Sequence, residues 1–127
     1  MTTAAAIVFA VVTAGVVVFQ LALAFGAPWG EYAMGGRYPG TYPREMRVAA
    51  VGQAALLAAI AVFVLSAAGL VLPSMARTWP GLIWAVVAFS IVSLVVNTIT
   101  PSAGERRIWV PVAIVMVVTS LIVAVGA

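Results

Sequence analysis

Three carboxamide side chains, Gln20, Gln53 and Asn97, are the only ones in this chain of 127 residues. Each offers both a hydrogen-bond donor and an acceptor, which suits the binding of a polar ligand rather than bond-making chemistry. Each lies within a long apolar stretch, where an amide must find a polar partner. Two interpretations stay open: hydrogen bonds that join helices, worth about 0.6 kcal/mol each on average, or the polar lining of a pocket.

A stripe of polar side chains accompanies Asn97 in the third apolar stretch. Ser90, Ser93, Asn97 and Thr100 follow one another at spacings of three and four residues, which places them on one face of an α-helix. The face is either a helix–helix contact whose hydroxyls bond to their own backbone or the wall of a pathway. Residues 82–89 do not continue it, which favours a pocket closed at one end over a pore.

Charged residues form a second group, and all nine lie in or beside the connections between apolar stretches. Arginine binds phosphate with two hydrogen bonds at once. We predict that the segment 26–36, rich in glycine, folds over the end of the bundle and partly buries Glu31, which then pairs with Arg106 or Arg107. The alternative is that the arginines anchor to lipid phosphates while Glu105, with Ser102, forms a capping box that starts a helix.

Whole classes of chemistry are excluded because the chain contains neither cysteine nor histidine. Disulfides, thiolate catalysis and cysteine-ligated metals are impossible, and the commonest general base is missing. No pairing of a nucleophile with a base is recognisable. We therefore expect no catalytic residues, no metal and no cofactor, and an enzymatic function is disfavoured but stays open.

Four apolar stretches must position these side chains, and they cover residues 4–25, 47–72, 81–100 and 108–127. Charged residues make up only 7% of the chain, against about 25% in a soluble domain. A helix needs about 20 apolar residues to cross a bilayer. The sequence therefore predicts an all-α membrane protein: a single domain, 1–127, whose four transmembrane helices form two hairpins and a compact four-helix bundle. The first stretch is expected to be a retained span, because no basic segment precedes it.

The arginines predict the orientation of the chain. Five of the six lie in or next to the connections 26–46 and 101–107, whereas Arg77 alone lies on the opposite side. The positive-inside rule then makes those connections cytoplasmic and puts both termini outside. The composition hints at a bacterial inner (plasma) membrane. The net charge of +3 favours anionic lipid head groups as partners, and no nucleic acid.

Three functions are compatible with these patterns. The first is a small membrane protein that binds or transports a small molecule or lipid in a cytoplasmic-side polar pocket, alone or as an oligomer. The second is a non-catalytic accessory or assembly subunit that binds another membrane protein. The third, ranked last, is a membrane-embedded enzyme that uses glutamate and arginine. The candidate ligand-binding residues are Gln20, Gln53, Ser93, Asn97, Glu31, Arg106 and Arg107.

Overall fold

The structure is a computed structural model that describes residues 1–126, and Ala127, the predicted end of the fourth stretch, lies outside the described residues. Within that range the chain forms helices and no strand. The α-helices are α1 (Thr2–Ala24), α2 (Arg44–Ala67), α3 (Pro73–Thr78), α4 (Leu82–Ile99) and α5 (Ala103–Gly126). Two short 3-10 helices, Gly30–Tyr32 and Met34–Gly36, lie between α1 and α2.

Four of these helices, α1, α2, α4 and α5, are long and apolar enough to cross a membrane. Their lengths of 18 to 24 residues match the roughly 30 Å of a hydrocarbon core at a rise of about 1.5 Å per residue. Large apolar side chains such as Val11, Val18, Val92 and Val95 are exposed on their outer faces, where a bilayer would cover them. The prediction of an all-α bundle with four apolar helices is confirmed, and the chain is a small membrane protein.

Glycines end the first two helices. Gly26 follows α1 with a φ of +102°, and Gly69 follows α2 with a φ of +78°, a conformation that glycine adopts without strain. After α2 the N–H of Gly69 donates to the carbonyl of Ser66, and the N–H of Leu70 donates to that of Leu65, both at 2.9 Å. This Schellman motif stops α2 five residues before the predicted boundary at residue 72.

The connection after α2 is not a simple loop, because it forms the short helix α3. Pro73 occupies the first turn of this helix, where its missing N–H costs nothing. The hydroxyl of Ser66 donates to the carbonyl of Leu72 at 2.7 Å and accepts from the N–H of Ala76 at 3.0 Å. Ser66, buried at the end of α2, therefore hydrogen-bonds both to the residue before α3 and to a residue within α3.

The four long helices are arranged in the order α2–α1–α5–α4. The closest associations are those of α1 with α2 and of α4 with α5, which confirms the two predicted hairpins, and α1 also packs against α5. In contrast, α2 and α4 barely touch each other. We call the space between these two helices the α2–α4 seam.

The hydrophobic core is concentrated at one end of the bundle. Phe9, Val64 and Val123 are fully buried and pack together with Ile83 and Val87 near the chain termini and α3. The opposite half of the bundle, beneath the connections before α2 and before α5, has no comparable cluster among residues 1–126 apart from a small one around Leu23. That half contains the three carboxamide side chains, Gln20, Gln53 and Asn97.

Candidate ligand-binding cavity

A cavity of about 580 Å³ lies between the four long helices at this second end. All four helices contribute to its wall, and the connection between α1 and α2 contributes to its roof. Its size falls within the range of about 300–1,000 Å³ that is typical of small-molecule sites. Gln20, Gln53 and Asn97 all line it.

Two of the amides meet across the α1–α2 contact. The Nε2 of Gln20 donates to the Oε1 of Gln53 at 2.9 Å, and both side chains line the cavity. Among residues 1–126 this is the one side-chain hydrogen bond of either residue. The pair therefore joins two helices and still leaves the Gln20 oxygen and the Gln53 amino group available to a ligand.

The polar stripe of α4 divides into two parts. Ser90 is fully buried, and its hydroxyl donates to the carbonyl of Val86 at 3.0 Å, so it bonds to its own helix. Ser93, Asn97 and Thr100 line the cavity instead. The Nδ2 of Asn97 donates to the carbonyl of Ser93 at 2.7 Å, which fixes its amide plane and leaves the amide oxygen as an acceptor.

The segment 30–36, which we call the cover segment, is tied to α5 and to the turn before it. The hydroxyl of Ser102 donates to the carbonyl of Glu31 at 2.9 Å, and the indole Nε1 of Trp109 donates to the carbonyl of Tyr32 at 2.6 Å. Residues of the cover segment also line the cavity. The prediction that the glycine-rich segment folds over the bundle end is therefore confirmed.

The buried carboxylate at this end is Glu105, not Glu31, and the prediction of a buried Glu31 is wrong. Glu31 is exposed and contributes its backbone carbonyl, whereas Glu105 is only 4% exposed and lines the cavity. Its carboxylate accepts a hydrogen bond from the N–H of Gly35 at 2.8 Å. The Ser102 hydroxyl also accepts from the N–H of Glu105 at 3.1 Å. The predicted cap thus exists, but its carboxylate turns to the cover segment.

The two arginines predicted to line the site lie outside it. Arg106 and Arg107 are exposed, and the Arg106 guanidinium donates to the carbonyl of Thr100. A different arginine, Arg37, lines the cavity from the connection before α2 while remaining exposed. The structure therefore brings together Gln20, Gln53, Ser93 and Asn97 from the predicted set and does not bring Glu31, Arg106 or Arg107 to them.

Aromatic side chains form the wall beside Glu105. The rings of Phe19 and Trp109 meet edge to face with centroids 4.7 Å apart, and Tyr32 and Tyr42 line the same space. Burial, and after it the negative charge of Glu105, raise the pKa of Tyr42 above its usual value. Tyr42 therefore remains a neutral phenol across the physiological pH range.

The spacing of residues along α5 indicates a cavity-lining helix face that we did not predict from the sequence. Glu105, Trp109, Ala113 and Met116 follow one another at spacings of four, four and three, and all four line the cavity. Such spacings define one helix face. The predicted start of α5 at Ser102 already set the phase of that face. Glu105 was interpreted as a capping residue, so its position on the cavity-lining face of α5 was overlooked.

A second, apolar groove of about 720 Å³ lies along the α2–α4 seam at the α3 end. Residues from α2, α3 and α4 form it, including Ile60, Met75 and Leu82. Phe89 lines both this groove and the polar cavity. The seam therefore carries two adjoining spaces, one polar and aromatic, the other apolar.

Comparison of the chain with protein-family models, with curated proteins and with solved structures finds no match in any of the three. The function must therefore be argued from the cavity itself. Among residues 1–126 no three acidic side chains lie together as a carboxylate metal site would need.

Proposed function

We propose that this membrane protein binds an amphiphilic small molecule or a lipid between its helices, and that it stores or transports that molecule. The observation that carries the proposal is the cavity of about 580 Å³ at the depth of Gln20, Gln53 and Asn97. A solidly packed bundle would have favoured an assembly role for these amides. A space lined by amides with unused donors and acceptors favours a ligand.

The two spaces along the α2–α4 seam favour an amphiphilic ligand over a water-soluble one. Because α2 and α4 make few contacts, the polar cavity and the apolar groove adjoin along a face that the bilayer would border. Phe89 stands where the two spaces meet. A ligand with a polar head and an apolar tail would suit both spaces, because a polar head group buried in the apolar groove would lack hydrogen-bond partners.

The proposal includes the orientation of the protein in the membrane. Arg37, Arg44, Arg47, Arg106 and Arg107 all lie at the cavity end of the bundle, whereas Arg77 lies in α3 at the other end. By the positive-inside rule we expect the cavity on the cytoplasmic side, and we take the membrane to be a bacterial inner membrane. The ligand would be taken from, or delivered to, the cytoplasmic leaflet.

Retention of a ligand during purification tests the proposal. Ser93 lines the cavity, and Ser93→Phe fills it with a large ring. Val92, the preceding residue, is 60% exposed on the outer face of α4, so Val92→Phe is a matched control. Native mass spectrometry should show a bound amphiphile on the unsubstituted protein and on Val92→Phe, but not on Ser93→Phe. Equal retention by all three proteins, or retention by none, contradicts the proposal.

A further inference from the structure

We infer that Glu105 and the aromatic wall beside it recognise a positively charged head group, so that the ligand is an amphiphilic ammonium compound. This inference rests on the proposed function and specifies its ligand class. A primary or quaternary amine joined to an alkyl tail has the required chemistry.

Among residues 1–126, no cationic side chain bonds to the Glu105 carboxylate. Its hydrogen-bond donor in the structure is the neutral backbone N–H of Gly35, and the neighbouring guanidinium of Arg106 is engaged with the carbonyl of Thr100. A buried carboxylate with one neutral donor retains most of the cost of its desolvation. A cation in the cavity would offset that cost.

The other charged residue of the cavity does not cancel this preference. Arg37 is exposed, whereas Glu105 is 4% exposed. Water and salt screen an exposed charge, and a charge in a low-dielectric interior acts on its neighbours far more strongly. Of the two charged residues that line the cavity, Glu105 is therefore the one whose charge acts more strongly within it.

The aromatic wall supplies the second element of cation recognition. Phe19 and Trp109 meet edge to face, and the indole of Trp109 is fixed by its hydrogen bond to the carbonyl of Tyr32. Tyr42, which lines the same space, remains neutral beside Glu105. The faces of aromatic rings attract ammonium groups, and quaternary amines are bound by such walls.

The apolar groove is suited to bind the alkyl tail of the ligand. From Phe89 it runs along α2 and α4 toward Met75 and Leu82. An alkyl tail in this groove would leave the head group in the polar cavity. The geometry thus favours a single chain attached to a compact cation.

A pair of matched probes tests the head-group preference without any substitution. The protein is placed in lipid nanodiscs of phosphatidylglycerol, which has no amine. Equilibrium dialysis at neutral pH then measures the binding of radiolabelled dodecyltrimethylammonium and of dodecyldimethylamine oxide, which has the same tail and no net charge. We expect the cation to bind about tenfold more tightly than its neutral analogue, once the partitioning of both into protein-free discs is subtracted.

Two substitutions connect the preference to the carboxylate. Glu105→Gln keeps an acceptor for the N–H of Gly35 and removes the charge, so it should abolish the preference while the neutral probe binds as before. Glu45→Gln removes an exposed carboxylate of α2 and should leave the preference intact. Equal binding of the two probes to the unsubstituted protein, or a preference that persists in Glu105→Gln, overturns the inference and leaves the proposed function standing. Failure of both probes to bind overturns both.

The ammonium group could belong to a lipid or to a free amphiphile, and a second set of discs separates the two sources. Phosphatidylethanolamine is added to the discs in increasing amounts. If its head group occupies the site, binding of the cationic probe falls well beyond the fall in discs whose phosphatidylglycerol is replaced to the same extent by an uncharged lipid without an amine. If the site takes free amphiphiles, the two replacement lipids lower the binding of the cationic probe equally. Either result supports the inference and assigns the source.

Discussion

The carboxylate of Glu105 accepts a hydrogen bond from the backbone N–H of Gly35, 70 residues earlier in the chain, at 2.8 Å. This contact fastens the cover segment to the first turn of α5. Gly35 also lines the cavity. The buried side chain of Glu105 therefore holds the cover segment over the cavity and places a carboxylate in the cavity wall. The two hairpins of the bundle are thereby joined at the cavity end.

Removal of the Glu105 carboxylate should destabilise the protein more than removal of any other carboxylate. Glu105→Ala leaves the N–H of Gly35 without its acceptor, which costs about 1–3 kcal/mol. Glu105→Gln retains an acceptor and removes the desolvated charge, so it should cost less. Glu31→Gln and Glu45→Gln, at exposed positions, should change nothing. Thermal unfolding in detergent measures all four. A larger loss for Glu31→Gln than for Glu105→Ala would contradict the structure.

Gln20 and Gln53 should be energetically coupled. In a double-mutant cycle with Gln20→Leu and Gln53→Leu, the loss of their shared hydrogen bond should give an interaction energy of about 0.6 kcal/mol. Gln20→Leu combined with Asn97→Leu is the control, because Asn97 bonds to its own helix, and these effects should add. Additive effects in the first cycle would mean that the two glutamines do not bond in the membrane.

The four spans could be predicted from the sequence, whereas the roof of the cavity could not. Apolar runs of sufficient length without charges leave a chain few alternatives to crossing the bilayer. The roof depends on backbone conformations that composition does not determine: Met34, Gly35 and Gly36 all have positive φ. These turns direct the Gly35 N–H at Glu105 and leave the side chain of Glu31 exposed. Composition alone therefore favoured Glu31, in the glycine-rich segment, over Glu105.

Gly30 should tolerate no side chain. A Cβ at this position would overlap the carbonyl oxygen of Tyr38 and crowd that of Gly40, and it would disturb the hydrogen bond from the Gly30 N–H to the Gly40 carbonyl. Gly30→Ala should therefore lower the unfolding temperature and loosen the cover segment. Gly52→Ala is the control, since nothing lies within 4 Å of that Cβ inside α2. Proteolysis within the cover segment should rise in the first variant only, and equal resistance of both variants would contradict the close approach.

Thr13 should gain stability on losing its hydroxyl. Its Oγ1 is buried and has no hydrogen-bond partner among residues 1–126. Thr13→Val keeps the shape and removes an unsatisfied group, so it should stabilise the protein by about 1 kcal/mol. Ser90→Ala is the contrast, because the Ser90 hydroxyl is bonded to Val86 and its removal should bring no gain. Destabilisation by Thr13→Val would show that the hydroxyl has a partner in the membrane.

The orientation can be checked because the chain has no cysteine of its own. Single cysteines at Thr41 and Ser74, both exposed, report on opposite ends of the bundle. An impermeant thiol reagent should label position 74 in intact cells and position 41 only after the cells are opened. Labelling in the reverse order would place the cavity on the outer side.

The loose seam between α2 and α4 also determines how occupancy responds to the surroundings of the protein. A site bordered by lipid equilibrates with ligand dissolved in the bilayer, so the relevant concentration is ligand per lipid rather than ligand per volume of water. Adding empty vesicles would then draw an amphiphile away at an unchanged aqueous volume. Growth of the membrane would dilute the ligand, and occupancy would report the composition of the leaflet rather than that of the cytoplasm.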